Sequence, residues 1–442
     1  MDKNQAMSLP VDERTIESPA VRSSAALAWA ICGVAILYYC YAFFLRVSPS
    51  AMTHDLMQNF HIRAAQFGLL SSLYYWSYTF MQIPGGFLLD RFGPRMVMFG
   101  ASLICVAGVG LFVSTDNYML ACVGRFMMGF GSAFAYISSL KLATLWLPSN
   151  RFAMVAGLTT SLGMIAGIFA ENYLTVLVKD FGYQDALYSS LIAGMILSFL
   201  IVAVVRNRPS KKYNTEAGDT PTTHFREILQ GMLNIIRMRQ MWLIGIVGAL
   251  LYLPASVFLD LWGISYLETT YNITGTEAAK AVSMIFVGWL VSAPVIGAIS
   301  DIIERRRSPL MVCSIVAFVV MSYIFYGPQM SLTSLYVAMF ILGIVCGSHP
   351  LCFCLGKENN PHHLAGVAVA TTNMLIMLGG VIFQPFVGWL LDMHSSDQYD
   401  LQGLPIYTAD DYAWAISVIP VGLILAIILI PFLKETFCQE RE

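Results

Sequence analysis

Apolar runs about as long as the roughly 20 residues a helix needs to cross a bilayer recur along nearly the whole chain, parted by short polar breaks. They fall at 26–46, 67–89, 96–113, 118–145, 153–176, 186–205, 241–267, 279–299, 309–327, 333–356, 364–391 and 412–433. The pattern predicts twelve transmembrane helices, and an even number of crossings leaves both chain ends on one side. The longest polar stretch outside the tails, Arg206 to Gln240, carries seven basic residues with Pro209 and Pro221 and divides the runs six and six. The expected organisation is a tail at 1–25, a six-helix bundle at 26–205, a linker at 206–240, a second bundle at 241–433 and a tail at 434–442.

Composition makes lipid the solvent: 57% of the 442 residues are hydrophobic and 12% charged, against roughly a quarter charged in soluble chains. The charges matter by position. Lys3, Arg14, Arg22, Arg91, Arg95, Arg151, the linker residues Arg206, Arg208, Lys211, Lys212, Arg226, Arg237 and Arg239, then Arg305 to Arg307, Lys357, Lys434 and Arg441 share one side, whereas the opposite loops hold only Arg63, Lys179 and Lys280. This positive-inside bias predicts that both termini and the linker are cytoplasmic, and the compact bacterial-style chain points to a bacterial inner membrane. The opposite loop near Asp392, Asp397, Asp400, Asp410 and Asp411 is acidic, as an outward face should be. With Pro10, Asp12 and Glu13 and no apolar core before Ala25, the N-terminal tail does not read as a cleavable signal, so the first run acts as the insertion signal. No basic stripe points to nucleic acid, and the nine cysteines lack metal or redox spacings, so no metal or cofactor is expected.

The halves repeat each other. GFLLDRFGPR from Gly86 follows the second run and GAISDIIERR from Gly297 follows the eighth, so that Asp90 and Asp301, and likewise Arg95 and Arg306, are each 211 residues apart. A glycine at a helix end lets backbones approach, an acid meets the next helix's positive end, and an arginine can cross to a neighbouring carboxylate. Such a latch can be made and broken. Gly86, Asp90, Arg91, Gly93 and Arg95 form the first copy and Gly297, Asp301 and Arg306 the second; the second lacks the middle glycine and is expected to be the weaker.

GFLLDRFGPR resembles the loop motif of the major facilitator superfamily, and RFMMGFG from Arg125 resembles its fourth-helix RxxxGxG motif. The resemblance implies an all-α integral membrane fold of two pseudo-symmetric six-helix bundles, without cofactor, that moves a small-molecule substrate by alternating access, driven by its own gradient or by protons. The chain is expected to be a monomer in the bilayer. FFLRVSPS from Phe43, the tyrosine-rich second run with QIPGGFLLD, and LWGISYL from Leu261 look like a bacterial branch that includes intraphagosomal amino-acid transporters and is related to animal lysosomal dipeptide transporters. That implies amino acids or short peptides. Nucleosides, organic anions, and a non-transporting sensor or scaffold of the same fold remain as alternatives.

Charged side chains inside spans cost about 2.5–3.5 kcal/mol each and need partners or water. Arg46 and Asp260 follow matching Phe-Leu pairs at corresponding places in the two halves, which suggests a pair acting as an outer gate; a snorkelling arginine and a separate aspartate are the alternative. Glu171 aligns near Gln384, so an acid replaces an amide; it suits a proton or substrate ammonium carrier, or a structural partner of Arg125 or Lys141. The resemblance to the fourth-helix motif implies that Arg125 pairs with cavity carboxylates or helps release a proton from a neighbouring acid; a buried packing ion is the alternative. Lys141 either holds a substrate carboxylate or snorkels, and His349 is a titratable candidate or a core imidazole. Tyr38, Tyr39, Tyr41, Tyr74, Tyr75, Trp76 and Tyr78 offer hydroxyls and apolar faces, while Asn373 and Gln384 add uncharged hydrogen-bonding groups. The absence of GxxxxGK, HExxH, a nucleophile elbow and a TVGYG segment speaks against a pump, an enzyme or a potassium-type channel.

Overall fold

The computed structural model describes residues 19–207, 225–361, 364–395, 399, 403 and 405–439. The expectations placed on Lys3, Pro10, Asp12, Glu13, Arg14, Arg208, Pro209, Lys211, Lys212, Pro221, Asp397, Asp400 and Arg441 lie outside the described residues. The first half runs through α1 (Pro19–Val47), α2 (Thr53–Phe60), α3 (Ala64–Phe92), α4 (Pro94–Val113), α5 (Tyr118–Trp146), α6 (Phe152–Phe181) and α7 (Tyr183–Val204). The second follows α8 (Phe225–Ile236) with α9 (Arg239–Leu251), α10 (Gly263–Tyr271), α11 (Gly275–Ile302), α12 (Arg307–Tyr326), α13 (Leu332–Cys346), α14 (Leu351–Glu358), α15 (Ala365–His394), α16 (Ala409–Ile416) and α17 (Val418–Leu429).

Among the described residues eleven helical segments are long and apolar enough to cross a membrane. The twelfth crossing is α3, 29 residues long. Its polarity comes from Ser71, Ser72, Ser77 and Gln82, all buried, so these groups face the bundle and Trp76 and Phe80 face outward. The described residues thus form an all-α membrane protein of twelve crossings in two six-helix bundles.

Among the described residues four crossings are broken: the twelfth only briefly, at Ser417 between α16 and α17, and three others more deeply. The first passes from α1 through a 3-10 turn, Ser48–Met52, into α2, because Pro49 has no N–H to continue the helix. The seventh contains a π-helical turn, Pro254–Trp262, between α9 and α10, again opened by a proline. The tenth breaks between α13 and α14, over Gly347 to Pro350. The linker also holds more than loop: α8 places Ile228, Met232, Ile235 and Ile236 at helical spacing, and Ile235 is buried.

The halves meet along α3 against α15 and α6 against α11. At Gly68 of α3 an added Cβ would lie 2.8 Å from the Cα of Pro385, and at Gly388 of α15 it would lie 2.6 Å from the Ala64 carbonyl carbon. Only glycine allows this approach. Both positions belong to the ends of α3 and α15 away from the chain termini, here termed the far side; the opposite end is the tail side.

Candidate functional site

The broken first helix gathers the site. Its turn places Arg46 at the end of α1 with only 5% exposure. The guanidinium carbon stands 5.0 Å from the ring centre of Phe43, 5.9 Å from Tyr74, 5.7 Å from Tyr75 and 4.9 Å from Tyr78. Aromatic faces attract a cation without neutralising it. Nε has no hydrogen-bond partner, and among the described residues no carboxylate forms an ion pair with Arg46.

The expected gate contact is therefore not a direct pair. Asp260, fully within the π turn and 2% exposed, accepts a hydrogen bond from the Tyr75 hydroxyl, and the Tyr75 ring is one wall of the Arg46 cage. Tyr75 stands between the opposite charges. A π turn shifts the register of side chains by one position per turn, which aims Asp260 across the boundary between halves.

Glu171, 1% exposed on α6, is held by neither Arg125 nor Lys141. Ser50 in the 3-10 turn donates to its two carboxylate oxygens at 3.0 and 2.9 Å. Gln384 plays the matching part in the other half: from α15 its side-chain amide donates to the Ser256 carbonyl of the π turn at 2.7 Å, and its backbone carbonyl accepts from the Trp262 indole at 3.3 Å. The breaks of the first and seventh crossings are thus each tied down by one polar residue, an acid in one half and an amide in the other.

Arg125 is buried and packed into the break of the first crossing. Rather than meeting a carboxylate, its guanidinium donates to the Leu45 carbonyl at 2.8 Å and lies 5.2 Å from the Tyr74 ring. The break after Val47 leaves carbonyls at the end of α1 without helical partners, and a cation satisfies that negative end. Gly129 and Gly131 of the same motif press on α3 and α4, where an added Cβ would meet the Tyr74 carbonyl carbon at 2.7 Å and the Cys105 sulfur at 2.5 Å.

Several tyrosines are helix ties rather than ligand contacts. Tyr38 donates to the Gly131 carbonyl at 2.8 Å, Tyr41 to Ser190 at 3.2 Å and Tyr74 to Ala42 at 2.7 Å. His349, in the break of the tenth crossing, stacks on Tyr252 at 4.8 Å and meets Trp289 edge-on at 6.0 Å; its Nε2 has no partner. Asn373 is half-buried on α15. Tyr252, Trp289, Ser50 and the bond from Asn172 to Ser283 across the halves, 2.8 Å long, were not singled out in the sequence. Ser50 closes the FFLRVSPS motif, beside Pro49.

Lys141 forms an ion pair with Asp90 of the first latch at 2.8 Å, so in this conformation the lysine is engaged by the latch. Arg95 donates through its backbone to the Asn207 side-chain oxygen at 2.9 Å and through its guanidinium to the Val202 carbonyl at 2.7 Å, while Arg91 lies over the Phe92 ring. Gly93 has φ +81°, in the region that favours glycine, with Asn207 against it. At Gly86 and Gly297 an added Cβ would meet nothing within 4 Å, so neither provides a close backbone approach here.

The second latch is the denser copy, contrary to expectation. Arg306 reaches Asp301 at 2.6 Å and Glu358 at 2.7 Å, and also donates to Ser300 at 3.0 Å. Burial would lower the Arg306 pKa, but the bonds to Glu358 and Asp301 hold it above the ordinary arginine value. Beyond α17 the chain turns back: Glu435 accepts from the backbone N–H of Arg306 and Arg307 at 2.8 and 3.1 Å, and Thr436 donates to Glu358 at 2.5 Å.

At the far side Asp392, near the end of α15, accepts from the backbone N–H groups of Ala64 and Ala65 at 3.2 and 2.9 Å and from the Tyr407 hydroxyl at 2.5 Å. Arg63 donates to the Tyr399 hydroxyl at 3.0 Å beside it. The far side is therefore bridged between halves, while the latch charges on the tail side pair within their own halves. Among the described residues no three His, Cys, Asp or Glu side chains converge as metal ligands would.

The sequence model of the Major Facilitator Superfamily matches residues 34–395. The probable sulfoacetate transporter SauU of Cupriavidus necator is 24% identical over 286 residues, which cover 63% of this chain and 66% of that protein, just under two thirds of its length. The lysosomal dipeptide transporter MFSD1 of Danio rerio is 22% identical over 381 residues, covering 80% and 78%. Among solved structures, a bacterial homologue of the human lysosomal transporter Spinster, inward-facing and unoccupied, superposes with a TM-score of 0.72 at 14% identity over 92% of this chain and 95% of that one. A point mutant of the nucleoside transporter NupG gives 0.71 at 12% identity, over 92% and 99%. At these identities the structures show a shared fold.

Proposed function

The chain belongs to the Major Facilitator Superfamily, and on that premise we propose that it is a secondary transporter of small zwitterions, amino acids or short peptides, working by alternating access. One observation carries the reading: a buried guanidinium without a carboxylate partner stands one tyrosine away from a buried aspartate, at the boundary between the halves. Unpaired opposite charges held apart in a low-dielectric site are poles for a ligand that carries both signs.

In this reading Arg46 takes the substrate carboxylate, and its aromatic cage keeps the guanidinium oriented without neutralising it. Asp260 and Glu171 take the ammonium group or a proton. One carboxylate serving a proton and the other the substrate would couple the two fluxes; with substrate alone the protein runs down the solute gradient. The aromatic walls at Tyr39, Phe43 and Phe286 suit an apolar side chain. The superfamily member named for dipeptides supports this class, whereas the relative named for sulfoacetate supports an organic anion held by Arg46 alone.

The basic loops support cytoplasmic termini, and on that orientation the bridged far side faces outward and the tail side is poised to exchange substrate with the cytoplasm. Masking one pole at a time tests the class. Leucine and a Leu-Leu dipeptide should raise the melting temperature of the detergent-solubilised protein, whereas leucinamide and N-acetylleucine should not. Stabilisation by N-acetylleucine equal to that by leucine would assign the site to anions and remove the ammonium pole.

A further inference from the structure

The two helices that join the halves, α3 and α15, each carry an aspartate two residues before their last: Asp90 before Phe92 and Asp392 before His394. They run antiparallel, so each aspartate belongs to the same end of the molecule as the partner helix's N-terminus. The two aspartates are in different states. Asp392 is engaged across the halves, taking the first two N–H groups of α3 at 3.2 and 2.9 Å. Asp90 is held inside its own half by Lys141 at 2.8 Å.

We propose that Asp392 is the far-side lock of the transport cycle, a carboxylate that closes the outer face by capping α3, and that Lys141 keeps the tail side open by sequestering Asp90. The four leading N–H groups of a helix have no helical acceptors, and the helix's positive end adds to the attraction for a carboxylate. Tyr407 makes the lock directional: its hydroxyl donates to Asp392 at 2.5 Å and accepts from the Ala64 N–H at 3.1 Å, so one side chain bridges donor and acceptor across the halves. Gly388, one turn before Asp392, lets α15 lie on Ala64 so that the carboxylate reaches those amides. When the halves rock, Asp392 must leave α3 and its charge must return to water. The ion pair at Lys141 is half-exposed, with side-chain exposures of 29% for Lys141 and 46% for Asp90, and so exchanges readily.

Distance measurements between spin labels test this without any substrate, so the outcome is separate from the transport reading above. Labels at Asp116, in the turn after α4, and Lys280, in the second turn of α11, occupy exposed far-side positions in the two halves. The full chain is used, with native cysteines changed to alanine. Asp392→Asn keeps the shape and loses the charge, and should raise the population of the long, far-side-open distance about five- to tenfold. Tyr407→Phe should move it in the same direction by less and provides the same reading should the asparagine variant not fold. Lys141→Gln, freeing Asp90, should also raise it. An unchanged distance distribution in monodisperse Asp392→Asn or Tyr407→Phe protein overturns the lock; an unchanged distribution in Lys141→Gln overturns the assignment of Lys141.

Discussion

Removing Glu358 isolates the most heavily buried ion pair of the tail side. Arg306 and Glu358 are each 7% exposed in their side chains and 2.7 Å apart. Breaking a buried pair by deleting one partner costs about 3–5 kcal/mol, because the remaining charge stays out of water. Arg306 would keep Asp301 at 2.6 Å, which is 66% exposed and therefore screened, and Ser300 at 3.0 Å. Thr436 would lose its acceptor. The lower end of the range, about 3 kcal/mol, is expected for Glu358→Ala. For a cooperative body of 150–250 residues, the size of one half, that lowers the melting temperature by about 6–12 °C. Fluorescence-detected unfolding in detergent at fixed protein concentration reads the shift. Replacing both partners, Arg306→Met with Glu358→Leu, removes the desolvation penalty along with the attraction and should restore most of the loss. A single variant melting within about 2 °C of the parent, or a double variant melting as low as the single, would refute the view that this pair is held by its own desolvation.

Three further outcomes follow from named contacts. Gly129→Ala forces a Cβ against the Tyr74 carbonyl and should destabilise by about 1–3 kcal/mol, whereas Gly86→Ala, with open space around it, should be neutral or stabilising by up to about 1 kcal/mol; paired thermal melts decide. Arg46→Lys keeps the charge but not the planar stacking among four rings, and should raise KM for the transported zwitterion about tenfold while leaving the melt unchanged to within a few degrees. Ser50→Ala strips both hydrogen bonds from Glu171; initial uptake rates across a pH series should then show a shifted proton dependence, and an unchanged profile would remove Glu171 from coupling.

Hydropathy and charge placement made twelve crossings and the duplicated loop legible, since lipid imposes its requirement on every run of residues alike. Interruptions within crossings were not. Pro49 and Pro254 are visible in the sequence, but whether a proline produces a kink, a 3-10 turn or a π turn depends on which neighbours satisfy the freed carbonyls, here Arg125 and Gln384. Partners of buried charges were likewise hidden. Asp90 and Lys141 are 51 residues apart, and nothing local says that the lysine turns to the latch rather than to water or substrate. Asp392 read as one more acid in an acidic loop because its partners are backbone N–H groups, which every sequence carries. The residues with unusual chemistry, Arg46, Glu171 and Asp260, were found because a charge in an apolar run stands out; what each one binds is a property of three dimensions.

Counterflow in reconstituted vesicles tests the central claim most directly. Vesicles containing the purified protein and loaded with an unlabelled amino acid or dipeptide should accumulate the labelled compound transiently, and Arg46→Gln vesicles should not. Accumulation by neither across amino acids, dipeptides and organic anions, from protein that still melts cooperatively, would contradict transport through a site alternately exposed between the two halves.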